Sequence, residues 1–180
     1  MGQVKSVYIL ILLNYLIYGL SLIFPLQILA LNTYNVEFYQ FITSFFYHFS
    51  FEHISGNMFF IYFFGRLIEE QLGDKTFLSV YLLSGLTVNG IEYILNIGQP
   101  MVLGGASGVV YALFSISLFV RPKKSWQSWV EVVVLLPFVI SHTLTELSLL
   151  GQNDTISHSS HLLGAIIGTV IYFIIIKRKK

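Results

Sequence analysis

Residues 101–120 read MVLGGASGVVYALFSISLFV, a stretch of twenty residues that contains no Lys, Arg, Asp or Glu. An α-helix rises about 1.5 Å per residue, so roughly 20 apolar residues cross the hydrocarbon core of a bilayer, which is about 30 Å thick. The stretch therefore predicts a transmembrane helix. It also contains the small-residue string Gly104-Gly105-Ala106-Ser107-Gly108, which favours a close approach of a second helix.

The rest of the chain is similarly apolar. Of its 180 residues, 55% are hydrophobic and 11% are charged, and the mean hydropathy is +0.74. A soluble domain of this size could not bury so much apolar surface, so we predict one all-α polytopic membrane domain over residues 1–180. No basic, aromatic-interleaved patch indicates binding of nucleic acid. The absence of cysteine excludes disulfides and a cysteine nucleophile.

Five further stretches bring the number of predicted transmembrane helices to six. Residues 7–31 and 156–176 contain no Lys, Arg, Asp or Glu, and weaker candidates are residues 51–68, 76–97 and 129–150. The first loop, residues 32–50, is rich in aromatic side chains, which prefer the membrane interface. We therefore expect part of this loop to lie at the outer surface of the bilayer.

The basic residues support an even number of crossings. If the N-terminus is cytoplasmic and six helices cross, every Lys and Arg falls on the inner side: Lys5, Arg66, Lys75, Arg121, Lys123, Lys124, Lys177, Arg178, Lys179 and Lys180. The outer loops then contain none, which is the positive-inside pattern. We therefore predict six transmembrane helices with both termini in the cytoplasm.

Polar side chains within membrane segments mark candidate functional sites. Ser107 and His161 lie near the outer ends of the fourth and sixth helices. Counted by helical rise from residues 101 and 156, they lie roughly 9 Å and 7–8 Å below the outer boundary. A serine becomes nucleophilic when a base such as a neutral histidine is adjacent. The two helices therefore predict a nucleophile, Ser107, and its base, His161.

Neighbouring residues complete this hypothesis. Gly164 and Gly168 on the sixth helix, and the small residues of the fourth, allow the two backbones to approach closely. Tyr111 lies one turn after Ser107, on the face expected to meet the imidazole. At the outer end of the second helix, the i, i+4 pair His53 and Asn57 shares one face. Together with the Ser107 amide, this pair could stabilise an oxyanion.

Three blocks of sequence resemble the rhomboid family of intramembrane serine proteases over about residues 37–168. These blocks are Tyr47-His48-Phe49-Ser50-Phe51-Glu52-His53 through Asn57, Gly105-Ala106-Ser107-Gly108-Val109-Val110-Tyr111-Ala112-Leu113, and His161-Leu162-Leu163-Gly164 with Gly168. Gly65, Glu69 and Leu72-Gly73 also resemble the family's end of the second helix. One departure is Tyr39-Gln40, where the family often has Trp-Arg. We expect the family's minimal form, without an extra domain before the core.

The resemblance implies a rhomboid-like bundle with a Ser107–His161 dyad, no third acidic residue and no cofactor. It assigns His53 and Asn57 to the oxyanion site. The implied supporting residues are Tyr111, Gly105, His48, Gly164 and Gly168. Substrates would be single-span membrane proteins, cut in or near the transmembrane segment, with the fifth helix and residues 151–160 as gate and cap. The short basic ends suggest a multi-pass protein of a prokaryotic plasma membrane, with its active site open to the extracytoplasmic side.

Two alternatives stay open at the level of sequence. One is a catalytically silent protein that binds membrane-protein clients through the same groove. The other is a membrane metallohydrolase, which would need three or four zinc ligands from the histidines His48, His53, His142, His158 and His161. For His142 and Glu146, an i, i+4 pair on the fifth helix, we expect a structural or gating role. The sequence indicates no oligomeric state.

Overall fold

The computed structural model describes residues 5–120 and 157–177, together with positions 130, 133, 137, 141, 144 and 145. The described part is mostly helical. Its elements are α1 (Ser6–Ser21), β1 (Leu31–Asn32), α2 (Gln40–Thr43), α3 (Phe51–Phe60), α4 (Arg66–Leu72), α5 (Asp74–Leu95), β2 (Val102–Leu103), α6 (Ser107–Ser117) and α7 (His158–Ile171). Short 3₁₀ turns occupy Leu26–Leu29 and Ser44–Phe46, and π-helical segments occupy Ile61–Gly65 and Tyr172–Ile176.

Two helical segments among the described residues are long and apolar enough to cross a bilayer. These are α5 and the run His158–Ile176, which joins α7 to its π segment, whereas α1 and α6 are shorter apolar helices. The helical character expected from the sequence is thus confirmed, and the six crossings stay a prediction. The fifth predicted helix, with His142 and Glu146, lies outside the described residues apart from the isolated positions between 130 and 145.

The prediction of a helix over residues 101–120 was wrong at its start, because α6 begins at Ser107. Before it, β2 pairs antiparallel with β1, with Leu31 opposite Leu103. Gly105 has a φ angle of +108°, a left-handed conformation that a right-handed helix cannot include. Ser107 is therefore the first residue of its helix, and a depth counted by helical rise from Met101 does not apply.

The N-terminus of α1 is held by a carboxylate from far along the chain. The Glu69 side chain is 3% exposed. It accepts hydrogen bonds from the backbone N–H groups of Lys5, Ser6 and Val7 at 2.9, 2.8 and 3.0 Å. The first N–H groups of a helix have no partner within the helix, and a negative charge there also complements the helix dipole. Glu69 thus ties α4 to the start of α1.

The loop between β1 and α3 is held together by the buried amide of Gln40. Its Oε1 accepts from the backbone N–H groups of Asn32 and Glu37 at 3.3 and 3.1 Å, and its Nε2 donates to the Ile28 carbonyl at 3.0 Å. Further along the loop, the Asn89 side chain of α5 donates to the Phe41 carbonyl and to Ser44 Oγ. Gln40 stands at one of the two positions that depart from the family's Trp-Arg pair, and there it anchors the loop.

Helices α6 and α7 approach each other through small residues spaced four apart. A Cβ on Gly164 would overlap the carbonyl oxygen of Gly108, and one on Gly168 would overlap that of Ala112. A Cβ on Gly108 would in turn come within 3.3 Å of the Ser160 carbonyl oxygen. The two backbones are therefore in direct contact over successive turns, and this contact determines where the Ser107 and His161 side chains lie relative to each other.

Candidate active site

Residues from separate helices line one cavity of about 870 Å³. Ser107 reaches it from the first turn of α6, His161 from α7, and His53 and Asn57 from α3. Tyr111 and Gly105 also contribute to its walls, whereas His48, Gly164 and Gly168 do not line it. The four side chains with predicted chemical roles thus share a single cavity although they are far apart in sequence.

The imidazole of His161 is stacked on an aromatic ring. Its ring centroid lies 4.6 Å from that of Tyr111, and the two ring planes differ by 13°. His161 is 9% exposed. His158 is also buried, and its ring meets the His161 ring edge-on at 6.4 Å between centroids. The His161 ring is therefore fixed in orientation by packing on at least two sides.

Asn57 offers a hydrogen-bond donor to the cavity that it lines. The residue is 6% exposed, and its Nδ2 is buried without a hydrogen-bond partner among the described residues. An unsatisfied buried donor costs about 1–3 kcal/mol, so such groups are usually satisfied by a ligand or an ordered water. Asn57 thus lines the cavity and has a side-chain donor without a partner among the described residues.

His53 lies directly against the backbone of Gly105. A Cβ at Gly105 would come within 2.7 Å of His53 Nε2. The positive φ of Gly105 also disfavours any other residue there. Only glycine therefore lets the imidazole approach the segment that leads into Ser107, which gives a physical reason for the glycine that the family resemblance singled out.

His48 does not line the cavity, but it contacts both the backbone that precedes Ser107 and the ring of His53. It is 1% exposed, and its Nε2 accepts a hydrogen bond from the Ala106 backbone N–H at 3.3 Å. Its ring meets the His53 ring edge-on, with 5.1 Å between centroids. The pKa of His48 is lowered to about 3, chiefly by burial and also by the nearby His53, while the Phe46 backbone acts in the opposite direction.

Two serines that the sequence reasoning missed fix the starts of the helices that carry the histidines. Ser50 Oγ accepts from the His53 N–H at 3.1 Å, and Ser157 Oγ accepts from the Ser160 N–H at 3.4 Å. Serine is a favoured N-cap residue, so its position before each helix was a readable signal. These caps fix the first turn of each helix, in which His53 and His161 lie.

The alternative of a metal site has no assembled ligand set in the described part of the chain. Among residues 5–120 and 157–177, no group of three or more His, Asp or Glu side chains comes close enough together to hold a metal ion. Among the described histidines, His48 and His53 have their ring centroids 5.1 Å apart, and His158 and His161 have theirs 6.4 Å apart. His142, another member of the proposed ligand set, lies outside the described residues.

Comparison with known proteins identifies several similar chains. The chain is 32% identical to the chloroplastic Rhomboid-like protein 11 of Arabidopsis thaliana, over 97% of this chain and 67% of that protein. It is 29% identical to YdcA of Bacillus subtilis, which is named as a candidate rhomboid protease, over 83% of this chain and 73% of that one. The mitochondrial RHOMBOID-like protein 12 of Arabidopsis thaliana is 27% identical over 73% of this chain and 44% of its own length.

The rhomboid domain matches residues 35–178, a slightly longer range than the resemblance seen in the sequence. The match includes α6, α7 and the whole of the cavity lining formed by α3. Rhomboid proteins are integral membrane proteins. Because the domain covers most of the chain, the protein belongs to the rhomboid family.

Proposed function

We propose that the protein is an intramembrane serine endopeptidase that cleaves membrane-protein substrates with Ser107 as nucleophile and His161 as general base. The observation that carries the proposal is the shared cavity. It brings Ser107, His161 and the unsatisfied amide of Asn57 to one space that is large enough for a segment of peptide. A hydroxyl, a base and a free donor are the groups that acyl transfer requires.

In the proposed reaction, His161 removes the proton from Ser107 Oγ as the oxygen attacks the scissile carbonyl carbon. The tetrahedral intermediate collapses when His161 transfers that proton to the leaving amine nitrogen, which breaks the C–N bond and leaves an acyl ester on Ser107. Water, activated by His161 in the same way, then hydrolyses the ester and regenerates the serine. A third acidic residue is not required, because the stack on Tyr111 and the packing of α7 orient the imidazole.

Negative charge develops on the carbonyl oxygen during the reaction. Three groups are proposed to donate hydrogen bonds to that oxygen: the Asn57 amide, the His53 ring and the Ser107 backbone N–H. Ser107 is the first residue of α6. The first-turn N–H groups of a helix have no acceptor within the helix, and the helix dipole places a partial positive charge there. Because α6 begins at Ser107, the Ser107 N–H can donate to the oxyanion. In the longer helix expected from hydropathy, this N–H would be bonded within the helix.

The proposal includes the location of the reaction. Six crossings with both termini in the cytoplasm place the cavity at the outer side of the membrane, where a single-span substrate can unwind into it. The substrate is proposed to enter between the second and fifth helices, with the fifth helix and residues 151–160 as gate and cap. The absence of Lys and Arg from the predicted outer loops supports this orientation. A prokaryotic plasma membrane is the proposed setting, although two of the relatives are organellar plant proteins.

The experiment that tests the catalytic proposal is labelling of the detergent-purified protein with a fluorophosphonate serine probe. We expect labelling of the wild type and its loss in Ser107→Ala and His161→Ala. Ser115→Ala is the matched control, because Ser115 is a buried serine on the same helix that does not line the cavity. The same variants are then assayed for cleavage of a single-span membrane protein reporter in liposomes.

Two results would contradict the proposal. Labelling that persists in Ser107→Ala would place the reactive serine elsewhere. A folded wild type that neither labels nor cleaves, under conditions in which a known rhomboid protease does both, would favour the client-binding alternative.

A further inference from the structure

His48 is a buried side chain that takes no part in the proposed chemistry. It does not line the cavity, so it cannot touch a substrate there. It lies just before α3, and its ring contacts residues on two different segments. These two segments carry the two different kinds of oxyanion donor, a backbone amide and the side chains of α3.

The first contact is with the segment that leads into the nucleophile. His48 Nε2 accepts the Ala106 N–H at 3.3 Å, and the adjacent Gly105 N–H donates to the Ser44 carbonyl at 2.9 Å. Two consecutive amides are thus held by residues 44–48. Ala106 immediately precedes Ser107 and is itself 0% exposed, so no bulk water replaces His48 as an acceptor.

The second contact is with the imidazole of His53, whose ring centroid lies 5.1 Å away in an edge-on arrangement. On its other side, His53 lies against Gly105. His53 is therefore confined between the His48 ring and the same backbone segment that His48 holds. A shift of His48 would move the side-chain donor and the backbone donor relative to each other.

We propose that His48 is a positioning residue for the oxyanion site, which fixes the Ser107 amide and the His53 ring at one separation. The inference rests on the proposed serine protease function. It requires that Nε2 keeps its lone pair and that Nδ1 carries the proton. Burial keeps the ring neutral at physiological pH, so one ring nitrogen keeps its lone pair, and the hydrogen bond from the Ala106 N–H indicates that this nitrogen is Nε2.

A set of substitutions separates this role from ordinary packing. His48→Leu keeps an apolar volume but removes the acceptor. In His48→Gln the side-chain amide reaches the position of Nε2 and restores an acceptor there. In His48→Asn the shorter side chain places its amide at the position of Nδ1, so no acceptor stands at the position of Nε2. Phe77→Leu is the packing control, because Phe77 is 0% exposed but lies on α5, away from the cavity lining.

The measurements are the rate of fluorophosphonate labelling, the kcat and KM for a membrane reporter, and the melting temperature, each normalised to the folded fraction. A misplacement of about 1 Å can cost roughly 100-fold in rate, and the loss of one oxyanion donor costs about 100- to 1,000-fold. We therefore expect His48→Leu and His48→Asn to lower kcat and labelling by about 10- to 100-fold, with KM within about twofold. His48→Gln should recover most of the rate.

The pattern across the variants decides the question. If wild type labels but His48→Leu and His48→Asn label at the same rate, or if labelling falls only in proportion to melting temperature as in Phe77→Leu, the positioning role is wrong while the protease proposal stands. If His48→Gln and His48→Asn are both folded and label equally slowly, the loss of the acceptor at Nε2 does not explain the lower rate. If wild type itself does not label, the failure lies with the proposed function.

Discussion

At the scale of single residues, His48 is a titratable side chain held where a positive charge is costly. Its pKa falls from the usual 6.5 to about 3 because the ring is buried and lies near His53. Between these two pH values the unfolded chain takes up a proton at this position and the folded protein does not. The contribution to stability is therefore complete above about pH 6.5 and is lost progressively as the pH falls toward 3.

This difference predicts a measurable slope. Below pH 6.5, the contribution of His48 to the free energy of unfolding should fall by at most about 1.4 kcal/mol per pH unit. Because other groups also titrate, the measurement is a comparison of wild type with His48→Gln, using thermal melting in detergent from pH 8 to pH 4. The wild type should lose stability more steeply than the variant. Parallel curves would show that the buried ring does not resist protonation.

The sequence was informative about individual polar residues within predicted membrane segments, because burying a polar group in the bilayer costs free energy. Ser107, His161, His53 and Asn57 were all identified as polar groups in apolar surroundings, and they line one cavity. The contacts behind the cavity could not be read in this way. A hydrogen bond from Ala106 to a ring 58 residues earlier in the chain depends on how loops fold over helices, and local composition does not record it.

At the scale of elements, the packing of α6 against α7 depends on Gly164. A Cβ there would overlap the Gly108 carbonyl oxygen and would come within 3.1 Å of Tyr111 Cβ. In Gly164→Ala the two helices must move apart, which we expect to cost about 1–3 kcal/mol, as overpacking usually does. Labelling of Ser107 should fall together with stability, because the same contact sets the position of His161.

Gly90→Ala is the matched control for this prediction. Gly90 lies within α5, and nothing lies within 4 Å of where its Cβ would be. There the same substitution should stabilise the helix by up to about 1 kcal/mol, since alanine has the better helix propensity. Thermal melting of both variants checks the pair. Equal effects of the two substitutions would contradict close contact at Gly164.

Helix boundaries were less predictable than helix existence. Hydropathy cannot distinguish the turn and short strand of residues 102–106 from a helix, because Val102, Leu103 and two glycines are as apolar as a spanning segment. The first helix likewise ends at Ser21, ten residues before the expected end at Leu31, and Pro25 follows in the 3₁₀ turn region. The π-helical segments after α3 and α7 could not be predicted either, because the spacing of apolar residues does not distinguish them from α-helix.

At the scale of the whole molecule, the predicted topology can be tested directly because the chain contains no cysteine. Tyr34 is 74% exposed in the predicted outer loop, and Lys75 is exposed at the predicted inner surface. With a membrane-impermeant maleimide on intact cells or right-side-out vesicles, Tyr34→Cys should label at once and Lys75→Cys only after permeabilisation. Labelling of both from the same side would contradict the proposed orientation.

The Glu69 cap also has a consequence for how the protein is made. The backbone groups that it binds are 62 to 64 residues earlier in the chain. At synthesis rates of about 5–20 residues per second, Glu69 is added to the chain roughly 3–13 s after residues 5–7. During that interval the N-terminal end of α1 lacks its native acceptor. Helix α1 therefore completes its docking only after α4 has been made, so the two helices are assembled as a pair.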